Sequence, residues 1–157
     1  MKKIFVLFIA TALLLACATP QAVRDSEKVI KGEWVLNSIT HNESGTYAIN
    51  LFNDTNKDCF EGSTWKFIPN NNTGTYTING AGCPVGERYF IFTIQEVDAT
   101  SGYYDFLLKP TDERGKSETN QGFRTRLAHI SESNMTWEQN LTFDGKPFKL
   151  IMNFTKN

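Results

Sequence analysis

The chain has 157 residues, of which 40% are apolar, 13% aromatic and 21% charged, with a formal net charge of -1. That length suits one domain and excludes a multi-domain enzyme. The apolar and aromatic load excludes a disordered chain. So balanced a charge argues against a nucleic-acid binder, which needs a basic face to neutralise phosphates.

The opening segment does not read as part of the fold. Lys2 and Lys3 precede an apolar run from Ile4 to Leu15, broken only by Thr11. The run is too short to cross a bilayer, which takes about 20 apolar residues, and has the build of a secretory leader. Its end, Leu14-Leu15-Ala16-Cys17, resembles a bacterial lipobox, in which the cysteine is acylated with palmitate-type chains once the leader is cut. Leu15 is bulkier than the residue usual at that place. Residues 1–16 are thus expected as a leader, and 17–31 as a lipidated tether with a short helical turn over 25–30. Several acyl chains on Cys17 meet the requirement of more than one lipid signal for stable anchoring. Losing Lys2 and Lys3 with the leader takes the net charge from -1 to -3.

Cysteine usage fits an exported chain. With Cys17 set aside, Cys59 and Cys83 form an even pair, and a disulfide between them would close a loop of about 25 residues worth roughly 3 kcal/mol. No CxxC spacing points to a redox or metal pair instead.

From Gly32 onwards the pattern is alternation, with successive side chains facing opposite sides of a sheet. Phe148, Leu150, Met152 and Phe154 alternate with Lys149, Ile151, Asn153 and Thr155. Met135 and Trp137 open a similar run that continues to Leu141 and Phe143. Turn residues separate the runs: Asn70-Asn71-Asn72-Thr73-Gly74, Gly80 to Gly86, Ser101-Gly102 and Asp144-Gly145, the last a tight-hairpin signal. Eight strands follow, over 33–41, 63–69, 73–79, 88–97, 103–109, 122–131, 134–143 and 147–155. Short turns favour an all-β, eight-stranded antiparallel up-and-down barrel over a sandwich, because a sandwich needs longer crossovers. The barrel domain is expected over 32–157, with the long connection 42–62 lying over one mouth and a short helix within 46–58.

Several residues carry a family resemblance. Lys31-Gly32-Glu33-Trp34-Val35-Leu36 resembles the Gly-x-Trp opening of lipocalins. Cys59, Trp65-Lys66-Phe67, Gly74-Thr75-Tyr76, Cys83, Met135-Thr136-Trp137 and Phe143-Asp144-Gly145-Lys146-Pro147-Phe148 follow in the order of the lipocalin-like lipoproteins of Bacteroidetes. The resemblance implies a barrel on the outer membrane with an apolar or amphipathic small-molecule ligand. No acidic cluster follows Cys17, which leans towards the periplasmic face. Larger lipocalins place a late-strand arginine over the first-strand tryptophan. The last two strands here lack arginine, so Arg124 or Arg126 would have to serve. META-type envelope domains share a similar opening and a turn like Gly82-Cys83.

Gly32 lets the backbone bend where the first strand begins, and Trp34 plugs that end with apolar surface. Parity turns Trp65, Tyr76, Phe90, Tyr104 and Phe106 inwards, and these are the candidate ligand-binding residues. An eight-stranded interior is just wide enough to be filled by side chains or to hold one small ligand. Arg124 joins the candidates: pointing inwards it would clamp an anionic head group, and pointing outwards it is a solvated face with Arg126. No Gly-x-Ser-x-Gly, HExxH or P-loop occurs, and His41 and His129 stand far apart in sequence, so neither catalysis, a metal nor a cofactor is expected. Two readings stand: a lipid-anchored binder of a small hydrophobic molecule, or an interaction module with a filled core that docks an envelope protein through loops 42–62 and 110–121.

Overall fold

The computed structural model describes residues 21–98 and 100–157. The leader and Cys17 lie outside the described residues. The described chain comprises helix α1 (Gln21–Ile30), β1 (Gly32–His41), the short pair β2 (Asn50–Leu51) and β3 (Thr55–Asn56), and the single turn α2 (Lys57–Phe60). Then come β4 (Thr64–Ile68), β5 (Thr73–Ile78), β6 (Gly86–Val97), β7 (Tyr104–Thr111), β8 (Phe123–Ile130), β9 (Asn134–Phe143) and β10 (Lys146–Lys156). The eight long strands close into an antiparallel barrel in which each pairs with the next and β10 returns to β1. This is the up-and-down architecture expected from the alternation, with strand limits within about two residues of those read from sequence.

The alternating pattern does what parity requires. Trp34, Leu36, Trp65, Tyr76, Ile78, Phe90, Leu108, Trp137, Leu150, Met152 and Phe154 are all buried inside the wall. Burying a large apolar side chain contributes about 1.5–3 kcal/mol, so this face supplies most of the driving force. Gly74 is where a side chain would not fit: a Cβ there would lie 2.3 Å from the Phe90 ring and 2.5 Å from the Lys66 carbonyl oxygen. Leu141 and Phe143 share the parity of Met135 and Trp137 but are not buried. Pairing between β8 and β9 stops at Arg126 opposite Glu138, whereas β9 runs on to Phe143 against β10. The β9–β10 hairpin therefore overhangs the rim, and the two side chains are 37% and 50% exposed.

The segment expected as a tether is, from Gln21 onwards, part of the folded unit. In α1, Val23, Ser26 and Ile30 share one face and are buried, while Arg24, Asp25 and Lys28 face outwards. The helix packs against β8 and the 69–71 turn. The Ser26 hydroxyl is bonded to the Tyr104 hydroxyl at 3.2 Å, and the Trp34 indole donates to the Ile30 carbonyl at 2.8 Å. Gly32, at φ +117°, makes the sharp bend from α1 into β1 that its place before Trp34 suggested.

The cation over Trp34 is neither Arg124 nor Arg126. Lys156, at the end of β10, sits 5.1 Å from the Trp34 ring centroid, and its ammonium also donates to the Val29 carbonyl in the last turn of α1. One lysine thus caps the helix and covers the tryptophan.

Candidate functional site

The residues proposed to line a ligand cavity meet each other. Trp65 stacks on Tyr76 with centroids 4.6 Å apart and stands edge-on to Trp137 at 5.4 Å. Trp137 meets Phe106 at 4.9 Å and Phe154 at 4.6 Å, and Phe106 meets Tyr104 at 6.4 Å. Phe90 lies 5.6 Å from Trp65. A continuous column of rings therefore runs along the axis from Trp65 to Tyr104, where Ser26 of α1 closes it. Among the described residues the Trp137 indole N–H within the column has no hydrogen-bond partner, and neither has the buried hydroxyl of Thr125, which stands opposite Phe106 across the β7–β8 ladder.

The far mouth is stopped by the long connection, as its length suggested. Leu51, Phe52 and Phe60 are fully buried there. Phe52 packs against Phe60, Trp65 and Phe123 at 5.5–6.0 Å, and Phe60 lies 5.3 Å from Tyr76. Phe52 and Asn53 adopt left-handed backbone angles, φ 53° and 57°. That conformation is rare for a bulky residue, and burial of the ring holds it.

Three fasteners keep this plug in place. Cys59 of α2 is bonded to Cys83 of the β5–β6 loop, the pairing that the cysteine arithmetic predicted. The Asp54 carboxylate accepts from the Tyr76 hydroxyl at 2.9 Å and from Arg88 Nε at 3.0 Å. Asn53 donates to Gln121 at 2.7 Å, tying the plug to the β7–β8 loop. Burial, with the adjacent Asp54 charge adding to it, pushes the Tyr76 phenol far above its ordinary range. Burial likewise raises Tyr104. The plug residues were not among the sequence candidates, although three large apolar side chains in a polar connection were the signal.

Arg124 points outwards. It pairs with Asp105 at 3.0 Å, and Arg126 bridges Asp105 and Asp98, each at 3.3 Å. Backbone N–H groups of Thr100 and Ser101 donate to Asp98 and hold its carboxyl below the usual range. The pair is a solvated ion network on the outer wall rather than an internal anion clamp. Nearby on the same wall, Glu138 pairs with Lys149 at 2.9 Å. His41 meets Tyr47 edge-on and Phe148 at a tilt at the overhanging hairpin, and His129 lies against Tyr103. Among the described residues no group of three or more His, Cys, Asp or Glu side chains is placed to hold a metal, and no helix is long and apolar enough to cross a membrane.

Three depressions on the described surface, one of them beside Tyr47, Phe143 and Phe148, lie outside the column. One of about 260 Å³ sits at the plugged rim between Phe52, Pro110 and Phe123, edged by Ser117 and Thr119. Another of about 350 Å³ lies on the outer wall against Thr75, Tyr89 and Asp112. Phe90 borders the one on the outer wall; Trp65, Tyr76, Tyr104 and Phe106 border none of the three.

No protein-family model matches this chain, and neither does any curated protein or solved structure.

Proposed function

We propose that this chain is a lipid-anchored protein of the bacterial outer membrane, held through Cys17 on the periplasmic side. In this reading its sealed, lipocalin-like barrel is an interaction module that docks another envelope protein. The observation that supports this most is the unbroken column of rings closed by α1 at one end and by Phe52 and Phe60 at the other. A carrier of small apolar molecules needs a hollow of about 300–1,000 Å³ with apolar walls, and here the axis is occupied by the side chains that would line it. A filled barrel is a stiff mount for its loops, and residues 42–46 and 112–116 are exposed and mostly polar or charged.

The leaderless Cys17→Ser protein, titrated with a fluorescent fatty acid and with envelope lipid extract, should show no saturable binding. Saturable binding that a Trp65 or Phe90 substitution abolishes would overturn this reading in favour of a carrier. In cells, a photo-crosslinker at Lys116 should trap a discrete protein adduct that one at Glu132 does not, and identical adducts at both positions would refute a loop-borne interface. Cys17→Ser should also release the protein from the membrane fraction.

A second reading, binding of a small apolar molecule at the rim, draws on the depression beside Phe52 and Phe123. At about 260 Å³ it falls below the usual ligand range. Saturable binding lost in Phe123→Ala but kept in Phe90→Leu would favour it.

A further inference from the structure

We propose that the α1 end of the barrel rests on the bilayer and that the plugged end faces away from it. This rests on the lipid-anchor reading of Cys17. Three residues separate Cys17 from Gln21, where α1 begins, which makes four residue-to-residue steps. An extended chain covers at most about 3.6 Å per residue, so the leash is no longer than about 14 Å. The helix does not lengthen it, because Val23, Ser26 and Ile30 are buried against the barrel and Lys156 and Trp34 bond to the last turn.

The height of the barrel sets the scale for that leash. Lys156 touches α1, and β10 runs back ten residues to Lys146 at the hairpin turn. Ten residues of strand span about 33 Å, or about 25 Å along the axis at the usual barrel tilt. The leash is shorter than the body it holds, so it reaches the headgroups from the helix end only.

The chemistry of the two ends agrees. The outer face of α1 presents Gln21, Arg24, Asp25 and Lys28, polar and of both signs, which suits a headgroup layer and resists burial among acyl chains. Among the described residues, three of the four exposed large apolar side chains, Val85, Leu141 and Phe143, lie at the opposite end.

The test uses the full, acylated protein reconstituted in vesicles of phosphatidylethanolamine and phosphatidylglycerol whose headgroups carry a nitroxide quencher. A fluorophore is placed on Glu132→Cys, in the turn beside Lys156, or on Lys146→Cys at the hairpin. Quenching should be several-fold stronger at position 132, and equal or reversed quenching would overturn the orientation. A Gly/Ser insertion of about 20 residues between Pro20 and Gln21 should erase the difference. A difference that survives it would show that the leash does not set the orientation. Purified protein without acyl mass on Cys17 would refute the anchor itself, whereas acylated protein with equal quenching would refute only this inference.

Discussion

Removing the disulfide separates what the plug contributes to the native state from what the cross-link does to the unfolded one. Cys59 and Cys83 are 24 residues apart, and the chain-entropy model gives a closed loop of that length about 3.5 kcal/mol at 25 °C. In the Cys59→Ser, Cys83→Ser double variant the plug keeps its other fasteners: Phe60 is fully buried, Asp54 holds Tyr76 and Arg88, and Asn53 holds Gln121. The folded state should therefore persist with unchanged near-ultraviolet circular dichroism, while stability falls by about 3.5 kcal/mol. Urea unfolding followed by tryptophan emission reads this well, because Trp34, Trp65 and Trp137 are all fully buried. The denaturant slope should rise, since the released chain exposes more surface on unfolding. Adding Asp54→Ala should then destabilise more than it does with the disulfide intact, because the two act on one segment. A loss under about 1 kcal/mol would refute the loop-closure account. Disordered aromatic signals in native buffer would show instead that the bond, not the packing, seats the plug.

Gly74→Ala should destabilise by about 3 kcal/mol, at the upper end for overpacking, since the Phe90 ring can turn but the Lys66 carbonyl, fixed in the β4–β5 ladder, cannot. Phe90→Leu should rescue only part of that loss in a double-mutant cycle followed by urea unfolding, and a neutral Gly74→Ala would contradict the close approach. Tyr76 and Tyr104 are both raised by burial, so the unfolded chain gives up their protons first, at about pH 10. The contribution of these two phenols to stability should thus be constant below about pH 10 and fall above it by about 1.4 kcal/mol per pH unit for each tyrosine. Tyr76→Phe should remove one such slope from urea midpoints measured against pH, and an unchanged slope would refute the buried-phenol assignment. Lys156→Met should lose about 1–2 kcal/mol through the Trp34 contact and the Val29 bond. It should also speed amide exchange in α1; unchanged exchange there would show that Lys156 does not hold the helix.

The strands were legible because their signals are local. Alternation in β10 and the Asp144-Gly145 turn depend on neighbours in sequence, and the barrel follows from short turns once eight strands are granted. Parity also turned Trp65, Tyr76, Phe90, Tyr104 and Phe106 inwards correctly. Whether they line a hollow was not legible, because that depends on which ring each meets across the axis, as Trp137 meets both Trp65 and Phe106. The same limit hid Lys156, whose partner Trp34 lies at the other end of the chain, and α1, whose few apolar residues matter only once a barrel mouth is there to receive them. Leu141 and Phe143 misled for a related reason: alternation tells which side a residue faces, not how far the neighbouring strand extends.

Closure of the sheet constrains how one polypeptide chain can join another. Around the middle of the wall each strand already has hydrogen-bonded neighbours on both flanks, so a passing segment finds no ladder to extend and copies crowded together do not zip into larger sheets. Where the stagger bares a margin, along 139–143, Asn140, Asp144, Lys146 and Pro147 supply the polar, charged and imino groups that discourage such recruitment. Recognition of this protein is thereby left to side chains, and its specificity can change residue by residue while the wall stays the same.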